Sequence, residues 1–166
     1  MSQTLTLDIH YKKHEGQIPF HQSKAKNRIW IGGAQSGKTT AGGYEALILS
    51  VDSGNDSVGY VVAPTYWHTQ RAWEKVLEII GLHFQRLVVE INRSEHRITL
   101  YPNRKIWFKS ADDPDSLRSQ TLDWAWLDEC AMIKEEGWNA IEPRLMGPAI
   151  FTSTPKGFTF DVLDVK

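Results

Sequence analysis

Gly32-Gly33-Ala34-Gln35-Ser36-Gly37-Lys38-Thr39 decides how the rest of this chain is read. The stretch satisfies G-x-x-x-x-G-K-[ST], and it stands between a short apolar run, Arg28 to Gly32 (RIWIG), and a stretch of helical spacing that begins at Lys38 and runs through EALIL. Pattern and context together predict a buried strand, a phosphate-binding loop and a helix. Glycines let backbone N–H groups turn toward phosphate oxygens, and the helix N-terminus adds the positive end of its dipole. On this reading Gly32, Gly33, Ala34, Gln35, Ser36, Gly37 and Thr40 cradle a nucleotide, and Lys38 grips its β and γ phosphates. Thr39 offers a hydroxyl to Mg²⁺, a hard ion that prefers oxygen and arrives with the nucleotide. A chance match in a chain of this length is expected roughly once in two hundred, before position is considered.

The second signal is Trp124-Ala125-Trp126-Leu127-Asp128-Glu129, an apolar run ending in two carboxylates. Alone, such a pair is usually a solvated turn. Combined with the upstream loop it reads as a Walker B pattern on a parallel neighbour of the loop's strand. Asp128 would complete the Mg²⁺ shell opposite Thr39, and Glu129 would take a proton from an attacking water. The extra glutamate favours hydrolysis of ATP over phosphoryl transfer to a bound hydroxyl. Cys130 has no nameable activating partner and reads as a small buried side chain.

Around these motifs, apolar runs alternate with helix-length stretches, the pattern of an α/β fold with a mainly parallel sheet. Leu5, Leu7, Ile9 and Tyr11 alternate as in a half-buried strand, and Val58 to Ala63 reads as a core strand stopped by Pro64. Tyr66 to Ile80 has helical spacing, with Trp67, Trp73, Val76 and Ile80 available for burial. Leu87 to Ile91, Arg97 to Tyr101 and Lys105 to Lys109, separated by turn signals, predict an antiparallel β insertion. Ala149 to Ser153 supplies a further core strand, and Asp112, Asp113 and Asp115 around Pro114 read as a turn and helix cap rather than a metal site.

Composition sets the outer limits. The 166 residues fit one domain, 1–166, and 41% hydrophobic with 23% charged residues argues against disorder and against a membrane protein. With a single cysteine there is no internal disulfide and no cysteine-based zinc site, and the opening residues do not read as a secretory signal, so a cytosolic setting is expected. Net charge is −1, so any contact with nucleic acid must be local. Lys12, Lys13, Lys24, Lys26 and Arg28 give the N-terminal part a basic bias that could face phosphates or could simply be solvated.

Several further stretches resemble the ATPase domain of the large terminase subunit, the DNA-packaging motor of tailed bacteriophages. Gln17-Ile18-Pro19-Phe20-His21 is similar to the family's adenine-recognition motif, which makes Gln17 the candidate for reading the base, with Gln22 the alternative. Ala63-Pro64-Thr65-Tyr66 looks like the family's strand-end sequence, and Ser116-Leu117-Arg118-Ser119 resembles the segment that carries an arginine finger. The resemblance therefore implies that Arg118 reaches the γ-phosphate in a neighbouring subunit. Thr152-Ser153-Thr154-Pro155-Lys156-Gly157 resembles the coupling motif, with Thr152, Ser153 and Thr154 as the residues that sense nucleotide state.

What this resemblance implies is a P-loop NTPase fold of the ASCE type and an ATPase, using ATP and Mg²⁺, that drives double-stranded DNA into a procapsid. It further implies a homo-oligomeric ring, a portal protein and a small terminase subunit as partners, no membrane, and the cytoplasm of a bacterial host. Two departures stand out. Many members carry an arginine in the phosphate loop where this chain has Ala34 and Gln35, which shifts weight to Arg118. The family also continues into a ribonuclease-H-like nuclease domain, whereas this sequence ends at Lys166, so no DNA cleavage is expected. A helicase-like translocase, suggested by Asp128-Glu129-Cys130, and a nucleotide-binding module without turnover are the competing readings.

Overall fold

The computed structural model describes residues 6–155. Among these residues seven strands form one sheet: β1 Asn27–Ile31, β2 Val58–Ala63, β3 Val88–Asn92, β4 Arg97–Leu100, β5 Arg104–Ser110, β6 Trp124–Asp128 and β7 Ala149–Ser153. Their spatial order is β1-β7-β6-β2-β5-β4-β3. The first five in that order are mutually parallel, and β4 and β3 continue the sheet antiparallel from β5. The predicted insertion is thus an extension of the main sheet, entered through β5, which itself pairs with β2 in parallel.

The order corrects one expectation. The acidic strand β6 is not the immediate neighbour of β1, because β7 lies between and pairs with both. Buried parallel strands carry side chains on two covered faces, so their apolar runs cannot reveal which strand sits beside which.

Among the described residues four α-helices flank the sheet: α1 Ile18–Gln22, α2 Lys38–Asp52, α3 Tyr66–Ile79 and α4 Glu135–Ile141. Strand side chains alternate between two cores, as a period of two requires. Val61, Trp124, Trp126 and Ile150 pack with Tyr44 and Leu47 of α2 and with Trp73 and Val76 of α3. Tyr60, Val62, Leu127 and Phe151 pack with Trp138 and Ile141 of α4 on the other face.

Three expectations fail locally. No strand forms over residues 6–14, and Leu5 lies outside the described residues. Leu7, Ile9 and Tyr11 instead pack against the α2 and α3 core, with Tyr11 stacked on Tyr44 at 3.9 Å between centroids. Their alternation is used for side-chain packing without backbone pairing. Trp67 is 75% exposed, because the buried stripe of α3 runs through Thr69, Ala72, Trp73, Val76 and Ile79, and Trp67 lies off it at 3.6 residues per turn. Within β1 only Arg28 is buried, since the strand is at the sheet edge and Ile29 and Ile31 are left partly uncovered.

The helix that follows the phosphate loop approaches the sheet closely at Gly42. A Cβ there would lie 2.3 Å from the indole of Trp126, which is fully buried. Gly42→Ala is expected to cost about 1–3 kcal/mol through overpacking, read as a drop in melting temperature of roughly 2–4 °C for each kcal/mol. An unchanged melting temperature would show that α2 can lift off β6 freely.

Candidate functional site: a nucleotide pocket

The parallel strands β1, β7, β6 and β2 end on one edge of the sheet, the edge where open α/β sheets bind ligands. β1 runs into the phosphate loop, where Gln35 and Gly37 take positive φ of 62° and 78°. Gly32 N–H donates to Ser153 O at 3.1 Å and so ties the loop to the end of β7. Lys38, at the first turn of α2, is buried, and its Nζ donates to Gly33 O at 2.8 Å. Behind the loop, His14 Nδ1 accepts from Gly16 N–H, so Nε2 carries the ring's proton and donates to Ser36 O at 2.9 Å.

β6 brings up the acids. Thr39 Oγ1 donates to Asp128 Oδ2 at 3.3 Å across a sequence separation of 89 residues. Asp128 is buried, and burial pushes its carboxyl above the ordinary range; the Thr152 hydroxyl opposes that shift and the Glu129 charge adds to it. Glu129 is held with φ 50° and ψ 45°, the left-handed region that a non-glycine residue occupies at a cost. Its Oε2 accepts from both Thr154 N–H at 3.1 Å and Thr154 Oγ1 at 2.7 Å. Cys130 is buried with its thiol pushed up to about 11 by desolvation, so it is inert as a nucleophile at neutral pH.

The three hydroxyls at the end of β7 all meet the acidic turn. Thr152 Oγ1 donates to Asp128 Oδ1 at 2.7 Å while accepting from Trp126 Nε1 at 2.8 Å. Ser153 Oγ accepts from Ala131 N–H at 3.2 Å, and Thr154 holds Glu129. Lys156 and Gly157 lie outside the described residues.

Between loop and acids lies a cavity of about 500 Å³, lined by Ala34 to Thr40 on one side and by Glu129 and Thr154 on the other. Oxygen donors on Thr39 and Asp128, with a buried carboxylate that no salt bridge compensates among the described residues, suit a hard divalent cation such as Mg²⁺. The pocket thus offers amide dipoles, one ammonium group and the Glu129 carboxylate, with Asp128 buried just behind its wall and bonded to the lining residue Thr39.

Residues 29–160 match the family model described as the terminase large subunit, T4-like-virus type, N-terminal. The chain belongs to that family. A terminase large subunit of Thermus phage G20c is 36% identical over 171 aligned residues, covering 90% of this chain but 35% of the relative, so the chain spans about a third of that relative's length. The large terminase ATPase domain of Thermus phage P74-26 superposes with a TM-score of 0.73 at 34% identity, covering 89% of this chain and 66% of that one. A large terminase from a thermophilic bacteriophage, solved in complex with ADP, shares the fold at 18% identity and a TM-score of 0.66, over 84% of this chain and 38% of its own. The sheet of this terminase domain is accordingly that of the P-loop NTPase fold.

Not every sequence candidate lines the pocket. Gln17 is buried behind the loop, where its Nε2 faces Gly37 O at 3.4 Å and its Oε1 accepts from His14 N–H at 3.0 Å. Gln22 is exposed at the end of α1. Arg118 is half-exposed, paired with Asp115 at 2.6 Å on the 3₁₀ turn Pro114–Arg118, which Asp113 caps as expected. It does not reach the cavity of its own chain. Conversely, sequence reasoning missed His68 and Arg71, which line the cavity from α3. Their i, i+3 spacing behind the N-cap Thr65 puts both on one helical face, the only local signal for them.

Proposed function

We propose that this domain hydrolyses ATP and uses the cycle to move double-stranded DNA into a procapsid. The observation that carries the chemistry is the meeting of Thr39 and Asp128 beside Glu129 across the cavity. The loop amides and Lys38 hold the β and γ phosphates, for which Lys38 exchanges Gly33 O. Thr39 and Asp128 are the residues to hold Mg²⁺. When bound, that ion offsets phosphate charge and orients the γ-phosphoryl group.

Glu129 accepts the proton of a water as its oxygen bonds to the γ-phosphorus, and the bond to the ADP oxygen breaks. Thr154 orients that carboxylate through two hydrogen bonds and so couples the catalytic residue to the end of β7. Arg71 supplies, within the same chain, the guanidinium that the phosphate loop lacks. Gln17 keeps a second amide hydrogen for the adenine ring.

Arg118 acts in a neighbouring subunit of a ring, the reading favoured by its exposure and by its place outside the lining of its own pocket. Mixing Arg118→Ala with Glu129→Gln protein is then expected to restore turnover that neither variant shows alone. Absence of rescue would place Arg118 outside the reaction. Family membership supports a portal protein and a small terminase subunit as partners and the host cytoplasm as the setting; among the described residues no helix is long and apolar enough to cross a membrane. Phosphate release measured with and without duplex DNA tests the whole reading. A rate indistinguishable from that of a Lys38→Ala control under both conditions would leave a binding module without turnover.

A further inference from the structure

One wall of the nucleotide cavity is made by α3, through His68 and Arg71. β2, the strand that leads into α3, pairs with β6 on the side away from β7 and β1. The start of α3 therefore reaches the cavity from beyond the acidic turn, whereas Ala34 to Thr40 reach it from the loop side. A group entering from beyond Glu129 meets the end of the triphosphate that Glu129 faces, which is the γ-phosphate.

The His68 ring is held in one orientation. Thr65, the N-cap of α3, accepts from His68 N–H through Oγ1 at 3.5 Å, and the same oxygen lies 2.8 Å from His68 Nδ1. A hydroxyl has one proton to give. Among the described residues Nδ1 is the acceptor within reach of this one, so Thr65 donates to Nδ1 and Nε2 carries the proton of the ring. Thr65 is anchored in turn, because its carbonyl accepts both the N–H and the hydroxyl of the buried Thr69, each at 3.0 Å.

Nε2 is left to the cavity. His68 is partly exposed, and Nε2 bonds to none of the described residues and is not shielded from solvent. Arg71, one turn further along the same helical face, is exposed and in no salt bridge among the described residues. The α3 wall thus presents donors only, an imidazole N–H and a guanidinium, toward the place where the most highly charged phosphate sits. A hydrogen bond to an ionised oxygen is about twice as strong as one between neutral groups.

We propose that His68 Nε2–H donates to a terminal oxygen of the γ-phosphate, so that His68 separates ATP from ADP and steadies the γ-phosphoryl group for the water that Glu129 activates. The contact needs no change in the protonation of the ring. Arg71 adds charge at the same place, while the Thr65-locked imidazole adds direction. This assignment rests on the ATP-hydrolysis reading above and names a further residue of its site.

The test is calorimetric binding of ADP and of the non-hydrolysable β,γ-imido analogue of ATP, each with Mg²⁺. The proteins are the parent, His68→Ala, His68→Gln and Lys38→Ala, with melting temperatures as the check on folding. His68→Ala is expected to lower affinity for the ATP analogue by about 10–100-fold, the span for a lost hydrogen bond to a charged group, and to leave ADP affinity unchanged. Glutamine puts an amide N–H near the place of the imidazole Nε2 and is expected to restore part of the difference. An unchanged ratio of the two affinities in His68→Ala overturns the assignment, and so does a loss shared equally by both nucleotides. A selective loss that His68→Gln does not restore at all would assign the effect to packing of the ring, which overturns the donor role. If the parent binds neither nucleotide, or Lys38→Ala binds both as the parent does, the nucleotide reading itself fails and takes this assignment with it. Binding that Lys38→Ala weakens, with the ratio intact in His68→Ala, overturns the His68 contact alone.

Discussion

A Glu129→Gln domain is expected to bind ATP as tightly as the parent and to turn it over about 10²–10⁴-fold more slowly, the span usual for loss of a general base. The geometry separates the two effects. Thr154 N–H and Oγ1 both donate to a single oxygen of Glu129, and a carboxamide oxygen can accept the same bonds, so the turn after β6 keeps its shape. What the substitution removes is the basic oxygen that faces the loop across the cavity. Nucleotide affinity from a fluorescent ATP analogue, beside steady-state phosphate release, checks both halves. Turnover at the parent rate would remove Glu129 from the chemistry.

The companion result concerns binding. Lys38→Ala is expected to lower nucleotide affinity by about 100-fold or more, because two charge-assisted hydrogen bonds to phosphate, at about 1.5–3 kcal/mol each, disappear together. The fold is not expected to suffer, since the ammonium group's partner, Gly33 O, belongs to an exposed residue that water can satisfy. Affinity equal to the parent's would contradict the assignment of the loop. A lowered melting temperature in the absence of nucleotide would show instead that Lys38 has a structural role.

Most strands and the main helices were legible because their signals are local. VGYVVA and AIFTS are apolar runs bounded by turn residues, and both became core strands with the predicted limits. The run RIWIG shows the limit of that signal: it formed a strand, but as β1 it lies at an edge with only Arg28 buried. Leu7, Ile9 and Tyr11 show another, since alternation records that one side of an extended segment is covered and not whether its backbone finds a partner. Trp67 shows a third, since an aromatic side chain on a helix is buried only if its angle falls within the Trp73–Val76 stripe, and Trp67 lies off it.

Sequence by itself singled out the loop Gly32 to Thr39, the acidic pair and the hydroxyls of Thr152 to Thr154 as candidates, because each is a short run whose chemistry depends on adjacent residues and on the end of a single element. Tertiary structure alone decided that β7 comes between β1 and β6, so that its hydroxyls reach Asp128 and Glu129 while Thr39 reaches Asp128 from the far side. It alone brought His14 under the loop, Arg71 into the pocket, and His21, Arg28 and Glu45 together in a buried cluster. These contacts join residues far apart in the chain, and nothing in the composition of either partner specifies the other; only the packing of strands and helices into one core puts them within hydrogen-bond reach.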